Sequence, residues 1–125
     1  MATIPEALAP LLYSRARELD LEAVVEIHTR QELERGLALS PTIIGINNRD
    51  LTELEKDPGD VRVTEELAPL VPEGIVKISE SALQTEEDIR RAIAAGADGV
   101  LVGTAILRAD NPTAFLSRLF AGVSL

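Results

Sequence analysis

Residues 74–105, GIVKISESALQTEEDIRRAIAAGADGVLVGTA, admit few folds. Ile75 to Ser79 is a short β-branched run that stops at Glu80-Ser81. Thr85, with Asp88 three residues later, is a capping-box signature for a helix start. Ile89, Ala92 and Ile93 then share one helical face, and Gly96 stands in the C′ position that ends the helix. Gly99 to Val102 is apolar throughout, as expected of a strand covered on both faces. Strand, crossover helix and strand make a parallel βαβ unit. Open parallel sheets carry ligands at the carboxyl ends of their strands, which is where Glu80, Ser81, Gly103 and Thr104 fall.

The rest of the chain repeats this unit. An apolar stripe of Ile4, Ala7, Leu8, Leu11, Leu12, Ala16 and Leu19 predicts a helix over 3–19, with Thr3 and Glu6 as its capping box. Glu22–Ile27 reads as a strand, and Thr29 opens a helix to about Leu39 that Ser40-Pro41 ends. Thr42–Asn47 is the next strand, and a long polar segment, Asn48–Val63, follows it. Within that segment Glu53–Asp57 reads as a solvated loop or frayed turn. A short helix from about Thr64 to Leu70 leads into the 74–105 stretch. Asn111-Pro112 begins a last helix through Phe120, with proline at the first helical position. The expected order is a leading helix and four β/α units, which forces a parallel sheet with helices on at least one face.

Side chains alternate along a strand. Val24 and Glu26 therefore share a face, as do Gly45 and Asn47, and Val76, Ile78 and Glu80. One polar residue per strand is expected to project from the same side at the same end. Lys77 should point to the opposite, helix-covered side. His28 reads as a polar residue flanking the helix, off the Glu26 face.

Composition narrows the chemistry. With 125 residues and 46% hydrophobic content, the chain can bury the core of one domain. It has no Cys and one His, which excludes thiolate metal sites and disulfides and argues against an imidazole cluster. No metal and no cofactor is expected. A net charge of −9 argues against nucleic-acid and anionic-membrane partners, although backbone N–H groups can still form a local phosphate pocket. No apolar run approaches the ~20 residues of a membrane span, and the first residues lead into a helix rather than a signal sequence. A cytoplasmic location is expected.

The runs VVEIHTRQELERGL, IIGINNRDL and KISESALQTEEDIRRAIAAGADGVLVGTAILR resemble the indole-3-glycerol phosphate synthases of tryptophan biosynthesis, from about Ile4 to Phe120. GINNRDL followed by SES and VGTA is the specific part. That family forms a (β/α)8 barrel, a fold of ~250 residues. The resemblance implies that this chain is the carboxyl half, a parallel (β/α)4 half-barrel with strands five to eight and a leading helix. The activity implied is ring closure of a carboxyphenylamino-deoxyribulose phosphate with loss of carbon dioxide and water.

By the same resemblance, Glu26 stands where the family has its general base, Asn47 where an asparagine meets the substrate, and Arg49 beside it for an anionic group. Glu80 and Ser81 line the pocket. Ala82, Gly103 and Thr104 fall at the phosphate-gripping turns, where bare N–H groups face the anion. The family usually has glycine at position 82, so a positive φ there would cost this chain energy. The family's catalytic lysines and a further glutamate lie on strands absent from this chain. Lys56, in the loop, and Lys77 are its only lysines, and neither replaces them. The chain alone is therefore expected to be inactive. Four strands also leave two free edges and an uncovered apolar face, so either a dimer with a second copy or a separate amino half should complete the barrel. The alternative is a non-catalytic half-barrel that self-associates and binds inorganic phosphate.

Overall fold

A computed structural model describes residues 1–49 and 59–123. Lys56 and the Glu53–Asp57 run lie outside the described residues. The elements follow in the order α1 (Ala9–Glu18), β1 (Val24–Ile27), α2 (Arg30–Leu37), β2 (Ile43–Asn47), α3 (Arg62–Leu67) with a 3₁₀ turn (Ala68–Leu70), β3 (Val76–Glu80), α4 (Glu86–Ala94), β4 (Gly99–Leu101), α5 (Thr104–Leu107) and α6 (Pro112–Leu119). The strands lie side by side in chain order and all pair in parallel. This is a (β/α)4 half-barrel with a leading helix.

Local chemistry sets the helix starts. Thr29 Oγ1 accepts the Glu32 N–H, and Asn111 Oδ1 accepts that of Ala114. At α4 both arms of the Thr85–Asp88 capping box form, and Gly96 takes φ +99 past the end of the helix. The leading helix differs from expectation. It begins at Ala9 with no side-chain cap, so the Thr3–Glu6 box does not form. Pro10 is the reason: it sits at the second helical position, and a helix continued backwards would drive its ring into the carbonyl four residues earlier. Helix α3 starts two residues earlier than expected, at Arg62, where Asp60 Oδ1 accepts the Arg62 N–H.

The helices cover one side of the sheet. Val25, Ile27, Ile44 and Ile46 point into that layer with Leu33, Leu67, Ala68 and Val71, and Ile27, Ile44 and Ile46 are 0% exposed. A second cluster, Val61, Leu83, Ile89, Ala92, Ala97 and Leu119, packs beneath β3 and β4. Lys77 points to this side as expected, its Nζ 3.5 Å from Asp98. The other side is open. Val24, Val76 and Leu101 are 48, 45 and 60% exposed, so β4 is not covered on both faces as its composition suggested. The apolar stripe of α1 is likewise bare, with Leu8, Leu11, Leu12 and Leu19 exposed. Residues 1–4 run beside β1, and the Met1 ammonium donates to the Glu26 carbonyl, which partly covers that free edge.

Candidate functional site

The register lines up the strand tips: Glu26 pairs with Gly45 and Gly45 with Ile78, while Asn47 pairs with Glu80 and Glu80 with Leu101. At the carboxyl ends of the strands lies an open cavity of about 1390 Å³. Its wall includes Glu26, Asn47, Arg49, Glu80, Ser81, Ala82, Gly103 and Thr104, so all the residues singled out in the sequence meet there.

Glu26 and Glu80 stand on strands separated by β2, yet their carboxyl groups interact. Gly45 makes this possible. A Cβ built there would lie 3.2 Å from Glu80 Oε2 and 2.9 Å from Val24 Cγ1, so the missing side chain is the lane through which Glu80 reaches across. Burial pushes the Glu80 carboxyl up to about 7, and the Glu26 charge and a shared hydrogen bond push in the same direction. Two like charges this close do not both ionise readily, which favours the protonated form of Glu80. Asn47 Nδ2 donates to Glu26 Oε1 at 3.0 Å, and Asn47 Oδ1 accepts the Arg49 N–H at 3.0 Å. The Arg49 Nε is buried with no hydrogen-bond partner among the described residues.

Two residues next to the site went unrecognised in the sequence. Asn48, 1% exposed, reads there as a turn residue. Its amide instead donates to Ser79 Oγ and to the Glu80 and Ser81 carbonyls, and its oxygen accepts the Thr64 N–H and hydroxyl. It thus ties the tips of β2 and β3 to α3. His28 is the second, and its expected placement off the Glu26 face is corrected: Nε2 lies 3.2 Å from Glu26 Oε1 and Nδ1 3.1 Å from Glu32 Oε2. Alternation continued one step past Ile27 puts residues 26 and 28 on the same side, which was the available signal.

After β3 the chain turns through two left-handed residues, Ser81 at φ 66 and Ala82 at φ 57. Position 82 therefore has the conformation that favours glycine, at a cost for alanine of about 1 kcal/mol. Gly59 packs on this turn, where a Cβ would sit 2.6 Å from that of Ala82. Gly103 differs: its φ is −120 and a Cβ would meet nothing within 4 Å among the described residues, which do not require glycine there. Arg108 and Arg118 line the same cavity from beyond Gly103 and bring positive charge that strand patterning did not reveal. No cluster of His, Cys, Asp and Glu suited to a metal ion occurs among the described residues.

A parallel half-barrel with a carboxylate pair at the carboxyl ends of its strands defines a class: part of a (β/α)8-type enzyme scaffold. Solved structures share the fold. A chain of the Amycolatopsis orientalis BexX/CysO complex superposes with a TM-score of 0.63 at 18% identity, over 98% of this chain and 54% of that one. A native KDPGal structure gives 0.62 at 17%, over 90% and 50%. The family model for indole-3-glycerol phosphate synthase matches residues 1–119, and the chain belongs to that family. It is 46% identical over 109 residues to the indole-3-glycerol phosphate synthase of Pyrococcus furiosus, covering 87% of this chain and 47% of that protein. The Halalkalibacterium halodurans enzyme of the same name is 43% identical over 123 residues, covering 98% and 47%. The chain thus spans about half the length of these curated relatives.

Proposed function

We propose that this chain supplies strands five to eight of an indole-3-glycerol phosphate synthase, acting in tryptophan biosynthesis once four further strands close the barrel. The observation that carries this reading is the Glu26–Glu80 pair, seated over Gly45 and steadied by Asn47. One carboxylate is free to take a proton during ring closure and dehydration while the other keeps one. Arg49, with its unpartnered Nε, suits the substrate carboxylate, and the Ser81-Ala82 and Gly103-Thr104 turns suit its phosphate. The openness at Gly103 leaves room for a close anion.

Nothing among the described residues supplies a lysine general acid, because Lys77 is paired with Asp98 on the helix side. Activity therefore requires the amino half, and the isolated chain is inactive. The surface that would receive that half is continuous: the bare stripe of α1, the free edge of β1 and the open apolar face. The test is to mix this chain with a separately produced amino half carrying the lysines and to follow formation of indole-3-glycerol phosphate. Turnover in the mixture only, lost on Glu26→Gln, is the expected result. A stable complex without turnover would sink the reading.

A second reading, a non-catalytic dimer that binds phosphate, draws on the same free edges and exposed Val24, Val76 and Leu101. Both readings require residues 1–4 to leave the edge of β1. Light scattering over a concentration range, with and without inorganic phosphate, separates the two. A phosphate-tightened dimer favours this second reading, and a monomer indifferent to phosphate removes it.

A further inference from the structure

The His28 side chain is only 9% exposed, and both of its ring nitrogens face carboxylates. On one side, Glu32 Oε2 accepts the His28 backbone N–H at 2.8 Å and lies 3.1 Å from Nδ1, so one carboxylate oxygen grips the residue twice. Glu32 is itself placed by the start of α2, where its N–H is held by Thr29. On the other side, Nε2 approaches Glu26 Oε1 to 3.2 Å without forming a hydrogen bond, which leaves it buried and without a hydrogen-bond partner among the described residues. A buried ring atom without a partner is uncommon and costly. Here the nearest group that can relieve it is the 41% exposed side chain of Glu26, which has room to turn. The arrangement suits a ring that donates from both nitrogens.

We propose that His28 is a positioning residue for Glu26: gripped by Glu32, it directs Nε2–H at the Glu26 carboxylate and holds that group aimed into the cavity. The groups that bear on Glu26 come from every neighbouring element. They are His28 beyond β1, Asn47 from β2 and Arg49 just past it, Glu80 from β3, and the Met1 ammonium on its own carbonyl. Glu32 acts through the ring, and Arg108 and Arg118 face it across the cavity. Among them His28 is a near-buried donor with a fixed support on its far side. That support distinguishes it from a residue that only fills space. The functional value of aiming Glu26 rests on the proton-acceptor role proposed above, but the arrangement itself does not.

The test needs no turnover. Carboxyl carbon NMR of the full chain follows the upper titration step of the site, that of Glu80, whose carboxyl is pushed up to about 7. Loss of the ring donor disfavours the doubly ionised pair, so His28→Ala should move that step upward by about half a unit or more. His28→Gln, which restores an N–H, should recover part of the shift, and Glu32→Gln should give a smaller shift of the same sign. An unchanged upper step in a folded His28→Ala chain would overturn the proposal. If that variant does not fold, the His28→Gln and Glu32→Gln titrations decide, and no shift in Glu32→Gln overturns it equally. A shifted pair in a chain that never gives turnover with the amino half would leave the inference standing while the enzymatic reading falls.

Discussion

The two faces of the sheet are built from alternate residues of the same four strands, yet they do different work. Ile27, Ile44 and Ile46 face the helices and are fully buried, while Val24, Val76 and Leu101 face the other way and stay about half exposed. The first face makes a core that the chain completes alone. The second carries Glu26, Asn47 and Glu80, and no element among the described residues covers its apolar part. Folding information and chemical information are thus divided by strand parity, and the incomplete face is the one with the chemistry.

Truncation on each face gives the largest contrast. Ile46→Ala should cost about 2–5 kcal/mol in urea unfolding, as for a buried aliphatic side chain. Leu101→Ala should stay within about 0.5 kcal/mol. Equal costs would mean that the open face is packed in solution, by another copy or another chain.

The pH dependence of stability sharpens the same contrast, because Glu80 is the group on the open face that the fold perturbs most. Its carboxyl is raised from 4.5 in the unfolded chain to about 7 in the folded one, so the folded state retains a proton that the unfolded state has lost. Wild-type stability should therefore fall as pH rises from about 4.5 to 7 and level off above. The change is on the order of 3 kcal/mol. In Glu80→Gln that slope should vanish, and the variant should be the more stable chain at pH 8. A slope unchanged by the substitution would remove Glu80 as its source.

Gly45 tests whether the carboxylate pair depends on the empty lane. Gly45→Ala would push Glu80 off Glu26, lower the upper titration step from about 7 toward the ordinary carboxylate range, and cost about 1–2 kcal/mol through the crowding of Val24. An unmoved titration step would mean that Glu80 reaches its partner by another path. The smallest effect belongs to position 82. Ala82→Gly relieves a left-handed alanine and should stabilise the chain by about 0.5–1 kcal/mol in thermal unfolding, with tighter inorganic phosphate binding if the turn grips that anion.

Much of this was legible in the chain because the signals are local. Thr29, Thr85, Gly96 and Asn111 act within one helical turn, so the starts and stops they mark are where the sequence puts them. Where a local signal met a stronger one, the reading slipped: Thr3 and Glu6 form a good box on paper, but Pro10 ends the helix before it reaches them. Parity along each strand placed Glu26, Asn47 and Glu80 together, since alternation is a property of the backbone alone.

What the sequence by itself determined is therefore the order of elements, the parallel sheet, and the gathering of its polar tips at one end. Only the tertiary structure decided that Glu80 crosses a glycine to meet Glu26, and that Asn48 ties β2, β3 and α3 together. It also decided that His28 sits between two carboxylates, and that Val24, Val76 and Leu101 stay exposed on the face opposite the helices. Those facts depend on distances between residues far apart in the chain. Such distances are set by how strands register and helices pack, which no residue's own neighbours specify.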